Sequence, residues 1–191
     1  MKNVIIIAAK LLAITLIAGA VLGLVYSVTK EPIAQQARAE ADIARFEAFP
    51  EAESFVAQTE AIPDAFSIIK QVHTALDADG NPIGITAAVV TKGYNAGLNL
   101  TVGIGADGVI RGVVVGAHSE TPGLGAKAAE DAFQAQYTGK QTDTPLYVVK
   151  SAPSGANDIQ AIASATITTN GITDAVNTVA AYMKQSAGGV Q

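Results

Sequence analysis

An α+β domain behind a single N-terminal membrane helix is the fold this sequence predicts, and three observations predict it. Leu11 to Thr29 runs without a charge. Two pairs of Val- and Ile-rich segments between Ile68 and Val115 flank clusters of turn formers. Apolar residues recur at three- and four-residue spacings between Ile172 and Gln185. The chain has 191 residues, enough for one anchor and one domain of roughly 140 residues with a sizeable core.

The anchor comes first. Val4–Ala9 extends the apolar stretch past Lys10, and about 18 or more apolar residues suffice to cross a bilayer. Ala37-Arg38-Ala39 resembles a signal cleavage site, but the apolar run exceeds the roughly 7–15 residues of a signal core, so a retained anchor is expected. Lys2, Lys10 and the α-amino group lie before the span, whereas Lys30 is offset by Glu31. The positive-inside rule then puts the N-terminus in the cytoplasm and the rest of the chain outside. Thr15, Gly19, Gly23 and Ser27 form a stripe of small side chains on which another membrane helix could pack.

After Pro32 an Ala- and charge-rich stretch reads as a helix that continues to Phe49 and is ended by Pro50. Residues 1–30 are thus read as the anchor, 31–66 as a helical stalk and connector, and 67–191 as the folded domain. Within the domain, Ile68–Leu76 and Ile83–Thr91 flank a polar turn and form one hairpin. Leu98–Ile104 and Val109–Val115 form a second around Gly105-Ala106-Asp107-Gly108. A short strand at Leu146–Lys150 is expected to join the sheet. Helices are expected at Ala126–Tyr137 and Ile172–Gln185, the second facing the core with Val176, Val179, Ala180 and Met183. Gly188–Gln191 reads as a frayed tail.

Composition narrows the chemistry. There are no cysteines, which removes disulfides, thiolate zinc and cysteine-held iron–sulfur clusters. Net charge is −5, so nucleic acid is not an expected partner. With only His73 and His118 there is no His-rich metal site, and neither a carboxylate pair nor a nucleophile triad can be assembled. Redox chemistry, if present, requires an organic cofactor.

Two loops remain as candidates. The first, His118 to Lys127, follows a strand and precedes a predicted helix. Gly123 and Gly125 permit close backbone approach to a ligand, Glu120 and Thr121 offer hydrogen bonds to a planar heterocycle, and Lys127 offers charge. An ordinary strand-to-helix turn accounts for the same residues. The second, Ala163 to Gly171, reads as a strand end and a helix cap at Thr168, Thr169 or Asn170. Thr166 carries a hydroxyl among very small neighbours near the helix N-terminus, where an anion would be favoured.

Glu120-Thr121-Pro122-Gly123-Leu124-Gly125-x-Lys127 and Ala165-Thr166-Ile167-Thr168 resemble the two signature segments of the covalent FMN-binding domain. That family occurs in the G subunit of Rnf electron-transport complexes and the C subunit of sodium-pumping NADH:quinone reductases. The resemblance runs from the anchor through Gly93-Tyr94 to the last helix, and the short length and compact layout point to the Rnf G subunit. It implies FMN linked through its phosphate to a threonine side chain, attached by a separate flavin transferase. Of the family motif Asp-x-x-[Ser/Thr]-Gly-Ala-Thr, Ala165 and Thr166 are retained, while Gln160, Ala163 and Ser164 stand where Asp, Ser or Thr, and Gly are usual. The implied site is Thr166 as attachment point, with Glu120, Thr121, Gly123, Leu124, Gly125, Lys127, Ser164, Ala165, Ile167 and Thr168 around the cofactor. The implied function is electron transfer within a membrane-bound, ion-translocating ferredoxin:NAD oxidoreductase, on partner subunits that supply the remaining redox centres and the ion path. A quinone-reductase subunit and a membrane-tethered module that binds a ligand without redox work stay open as alternatives.

Overall fold

A computed structural model describes residues 2–188; the last three residues of the expected tail lie outside the described residues. The chain divides into two compact units, one ending at Asp42 and one beginning at Ile43.

The described residues of the first unit are all helical. They belong to α1 (Lys2–Ala48), a single helix with Pro32 inside it, long and apolar enough to cross a membrane. Its Ser and Thr hydroxyls bond back into the helix: Thr15 donates to the carbonyls of Leu11 and Leu12, Ser27 to that of Leu24, and Thr29 to that of Val25. A methyl group added at Gly19 or Gly23 would meet nothing within 4 Å, so the small-residue stripe is open.

In the second unit, β1 (Ser54–Ala57), β2 (Ile69–Leu76), β3 (Pro82–Lys92), β4 (Ala96–Gly105) and β5 (Ile110–Val115) form an antiparallel sheet in sequential order. Both expected hairpins are present, and their turns show why. Asp77 Oδ1 accepts the N–H groups of Asp79 and Asn81, and Gly80 takes φ +80°. Asp107 Oδ1 accepts the Val109 N–H, and Gly108 takes φ +76°. β1 lies in the segment read as connector; its four residues are mostly exposed, so no alternation marks them in the sequence.

The final helix, α3 (Thr166–Gly188), buries Ile172, Val176 and Val179 against one face of the sheet, with Val89, Leu100, Val102 and Ile104 opposite. The other face takes the end of α1. Phe49 is fully buried, and Cβ atoms at Gly103 and Gly84 would lie 2.2 Å from the Ala48 carbonyl oxygen and 2.5 Å from the Phe49 ring. Glycine in these strands lets the helix end lie directly on the sheet.

Three expectations need correcting. The strand expected at Leu146–Lys150 forms as β6 (Tyr147–Val149) but pairs in parallel with β7 (Asp158–Gln160), outside the main sheet. The β5 edge is already occupied, because Ile110 exchanges backbone hydrogen bonds with Gly139 and Lys140, and Gln134 Oε1 accepts the Val115 N–H. The helix expected at Ala126–Tyr137 is a 3₁₀ turn, Gly125–Ala129, and a four-residue α2 (Asp131–Gln134), broken at the extended backbone of Glu130. Two short turns let Ala128 and Phe133 both reach the core. Finally, α3 starts at Thr166 rather than near Ile172, so Thr168, Thr169 and Asn170 lie inside the helix and none is its N-cap.

Candidate functional site

The two loops singled out in the sequence meet at the start of α3. Between them lies a cavity of about 460 Å³ lined by Tyr94, Glu120, Thr121, Leu124, Gly125, Ser164, Ala165, Thr166, Ile167 and Thr168. That volume falls in the range of small-molecule sites.

Glu120 ties the loops together. Its side chain is buried; Oε2 accepts the Thr168 hydroxyl at 2.7 Å and Oε1 accepts the Asn95 N–H at 3.0 Å. The Glu120 N–H donates to His118 Nδ1, which accounts for that histidine locally. The packing here excludes side chains: a Cβ at Gly125 would lie 2.2 Å from Glu120 Oε2, and one at Gly93 would lie 2.5 Å from Oε1. Gly125 is therefore required by contact. Gly123, with φ +77° and open space around it, is required by backbone conformation.

The three threonines of the second loop have different surroundings. Thr169 is fully buried; its hydroxyl accepts the Ile162 N–H and donates to the Ala165 carbonyl, joining the loop to the helix. Thr168 is buried against Glu120. Thr166 is half-buried, lines the cavity, and its hydroxyl makes no hydrogen bond among the described residues. As the first residues of a helix preceded by Ala165, Thr166, Ile167 and Thr168 have N–H groups without an acceptor in the helix, which carry the positive end of its dipole. Ser164 is the one non-glycine with positive φ among the described residues, at +63°. That backbone conformation suits glycine, the residue usual at this place in the motif.

Of the residues proposed from the sequence, Gly123 and Lys127 do not line the cavity; Lys127 is exposed on the 3₁₀ turn beyond it. Tyr94 does line it; the sequence resemblance runs through Gly93-Tyr94 but does not assign Tyr94 to the site. The usable signal is an aromatic in a short turn between two predicted strands. Among the described residues no group of three or more His, Asp or Glu could hold a metal ion.

Residues 93–181 match the FMN-binding domain family, a range that contains every residue lining the cavity. The chain carries an FMN-binding domain. It is 42% identical over 102 residues to the G subunit of the Na(+)-translocating ferredoxin:NAD(+) oxidoreductase complex of Acetobacterium woodii, covering 52% of this chain and 49% of that protein. It is 37% identical over 99 residues to the G subunit of the proton-translocating ferredoxin:NAD(+) oxidoreductase complex of Clostridium ljungdahlii, covering 52% of each. The chain thus spans about half the length of the curated relatives it matches. Its fold is similar to the crystal structure of Shewanella oneidensis NqrC, with a TM-score of 0.54, 21% identity and 75% coverage of both chains.

The residues of the FMN-binding domain fit the cofactor. The free N–H groups at the start of α3 suit a phosphate. Leu124 and Ile167, 40% and 59% exposed at the cavity, give an apolar rim for a planar ring. Gly125 lets backbone approach where any side chain would collide with Glu120.

Proposed function

We propose that this chain is an electron-transfer subunit that carries FMN as a phosphoester on Thr166. The observation that carries the reading is the separation of the three threonine hydroxyls: those of Thr168 and Thr169 are buried and hydrogen-bonded, whereas that of Thr166 is free and borders the cavity. An oxygen there stands beside unsatisfied N–H groups and the helix dipole, which stabilise a phosphate attached to it. The bound flavin supplies one- and two-electron redox chemistry. The chain's own residues hold and orient it: Glu120 fixes the spacing of the two loops, Gly125 keeps the cavity floor open, and Leu124 and Ile167 exclude water from the ring. A flavin transferase is required to form the phosphoester.

The names of the curated relatives support placement in an ion-translocating ferredoxin:NAD oxidoreductase complex, beside the other subunits of that complex. The charge distribution around Leu11–Thr29 supports an N-terminus in the cytoplasm and the FMN domain on the outer side of the cell membrane. Protease added to right-side-out vesicles then removes the domain; cleavage only in inverted vesicles overturns that topology.

The test of attachment is Thr166→Val, which keeps the β-branched shape and removes the oxygen. Protein from cells containing the transferase should have the mass of the flavinylated chain when wild type, and of the bare polypeptide when Thr166→Val. Thr168→Val and Thr169→Val should retain flavin. Flavin on a peptide of the Thr166→Val protein would place the linkage elsewhere.

A further inference from the structure

Tyr94 is 67% exposed, yet the backbone that carries it is held on both sides. The Gly93 N–H donates to the Asn95 carbonyl at 3.0 Å, closing a tight turn between β3 and β4. Next to it, the Asn95 N–H donates to Glu120 Oε1, and Asn95 Nδ2 donates to the Ser119 carbonyl at 2.6 Å. Gly93 is packed so closely on Glu120 that no side chain fits there. The turn is therefore fixed to the loop that forms one wall of the cavity, and Tyr94 lines that cavity from a fixed position. An exposed tyrosine on a mobile turn would call for no explanation. An aromatic ring held at the rim of an apolar cavity, leaving most of its surface in water, is a ready partner for a flat ligand.

We infer that Tyr94 is a ring-contact residue, stacking its phenol on the isoalloxazine of FMN bound in the cavity between the 120–125 loop and the start of α3. The inference rests on the FMN reading of the cavity but not on the covalent bond, since contact with the ring needs only that the ring be there. Tyr94 is thus also a positioning residue, because stacking fixes the orientation of the ring against the apolar rim that Leu124 and Ile167 provide. The connection through Asn95 makes its position dependent on Glu120: a change in the carboxylate moves the turn that bears the aromatic.

The experiment compares full-length wild type, Tyr94→Phe and Tyr94→Leu in detergent, each purified from cells containing a flavin transferase. A phenol in contact with an excited flavin quenches its fluorescence by reversible electron donation; a phenyl ring is too hard to oxidise to do so. At equal flavin content by intact mass, Tyr94→Phe and Tyr94→Leu should both show severalfold brighter and longer-lived flavin emission. Only Tyr94→Leu should also make the ring more accessible to iodide, because Phe still covers it. Emission and iodide access equal in all three proteins overturn the inference.

Failure of the phosphoester reading is seen separately, as a wild-type mass lacking flavin. Free FMN is then titrated into the same proteins. Tyr94→Leu should bind it about 2- to 13-fold more weakly, the loss corresponding to one aromatic stacking contact. Equal affinity, with equal emission when bound, overturns the role of Tyr94 independently of how the cofactor is attached.

Discussion

Replacing Gly125 with alanine tests whether the cavity depends on the Glu120–Thr168 contact. The added methyl would lie 2.2 Å from Glu120 Oε2, 2.8 Å from Thr168 Oγ1 and 3.0 Å from Glu120 Cβ. The carboxylate cannot simply swing aside, because it accepts hydrogen bonds from Thr168 and from the Asn95 N–H. Moving it leaves the hydroxyl of a residue only 1% exposed without its acceptor. Overpacking and a lost buried acceptor each cost about 1–3 kcal/mol, so a total near 3 kcal/mol is expected. For a chain of this size that lowers the melting temperature by roughly 10 °C. Gly123→Ala is the control: with open space around it, it carries only the left-handed strain of about 1–2 kcal/mol. The assay is thermal unfolding in detergent followed by circular dichroism, extended to a cycle with Glu120→Ala. With the carboxylate removed, Gly125→Ala should cost less than half as much. Losses that add to within about 0.5 kcal/mol would refute the argument.

Ser164→Gly should stabilise the domain by about 0.5–1 kcal/mol. It relieves about 1–2 kcal/mol of left-handed strain and loses about 0.5–1 kcal/mol to the freer unfolded chain; a lower urea midpoint counts against this. Gly103→Ala puts a methyl 2.2 Å from the Ala48 carbonyl oxygen, rigid backbone with no flexible end, and should cost about 3 kcal/mol; wild-type stability would show that the end of α1 does not lie on the sheet. Acid should weaken the fold. Backbone N–H donors, chiefly those of Asn81, Val109 and Gly155, hold the carboxyls of Asp77, Asp107 and Asp158 below their ordinary value of 3.8. Their contribution is complete above that value and disappears as pH falls through the lower folded values. The urea midpoint should therefore decline below about pH 4, and less steeply in Asp158→Asn; equal slopes refute the assignment to Asp158.

Much of this molecule is legible from local chemistry. The span between Leu11 and Thr29 needs only a count of apolar residues against bilayer thickness. The hairpins are set by Asp77, Gly80, Asp107 and Gly108, whose side chains or φ angles close their own turns. The core face of α3 follows from the spacing of Val176, Val179 and Ala180. Both candidate loops stand out as glycine-rich or hydroxyl-rich exits from regular structure.

The rest depends on groups distant in sequence. Thr166 to Thr169 read locally as a strand end with a cap, because β-branched residues are poor helix formers. They are helical because Glu120 takes the Thr168 hydroxyl across 48 residues and Thr169 ties the loop to the first turn. The same contacts decide which threonine is left free. Gly103 weakens a strand when read alone and acquires its reason only when Ala48 arrives above it. β6 carries the pattern of a sheet strand, but backbone from Gly139 and Lys140 already fills the edge it would join. Tyr94 marks the division clearly: its turn is local, but its place at the cavity depends on a carboxylate 26 positions onward in the sequence. Periodicity and turn chemistry act over a few residues, so they determine elements; hydrogen bonds and steric exclusion between elements act only once the chain has folded, and these decide the site.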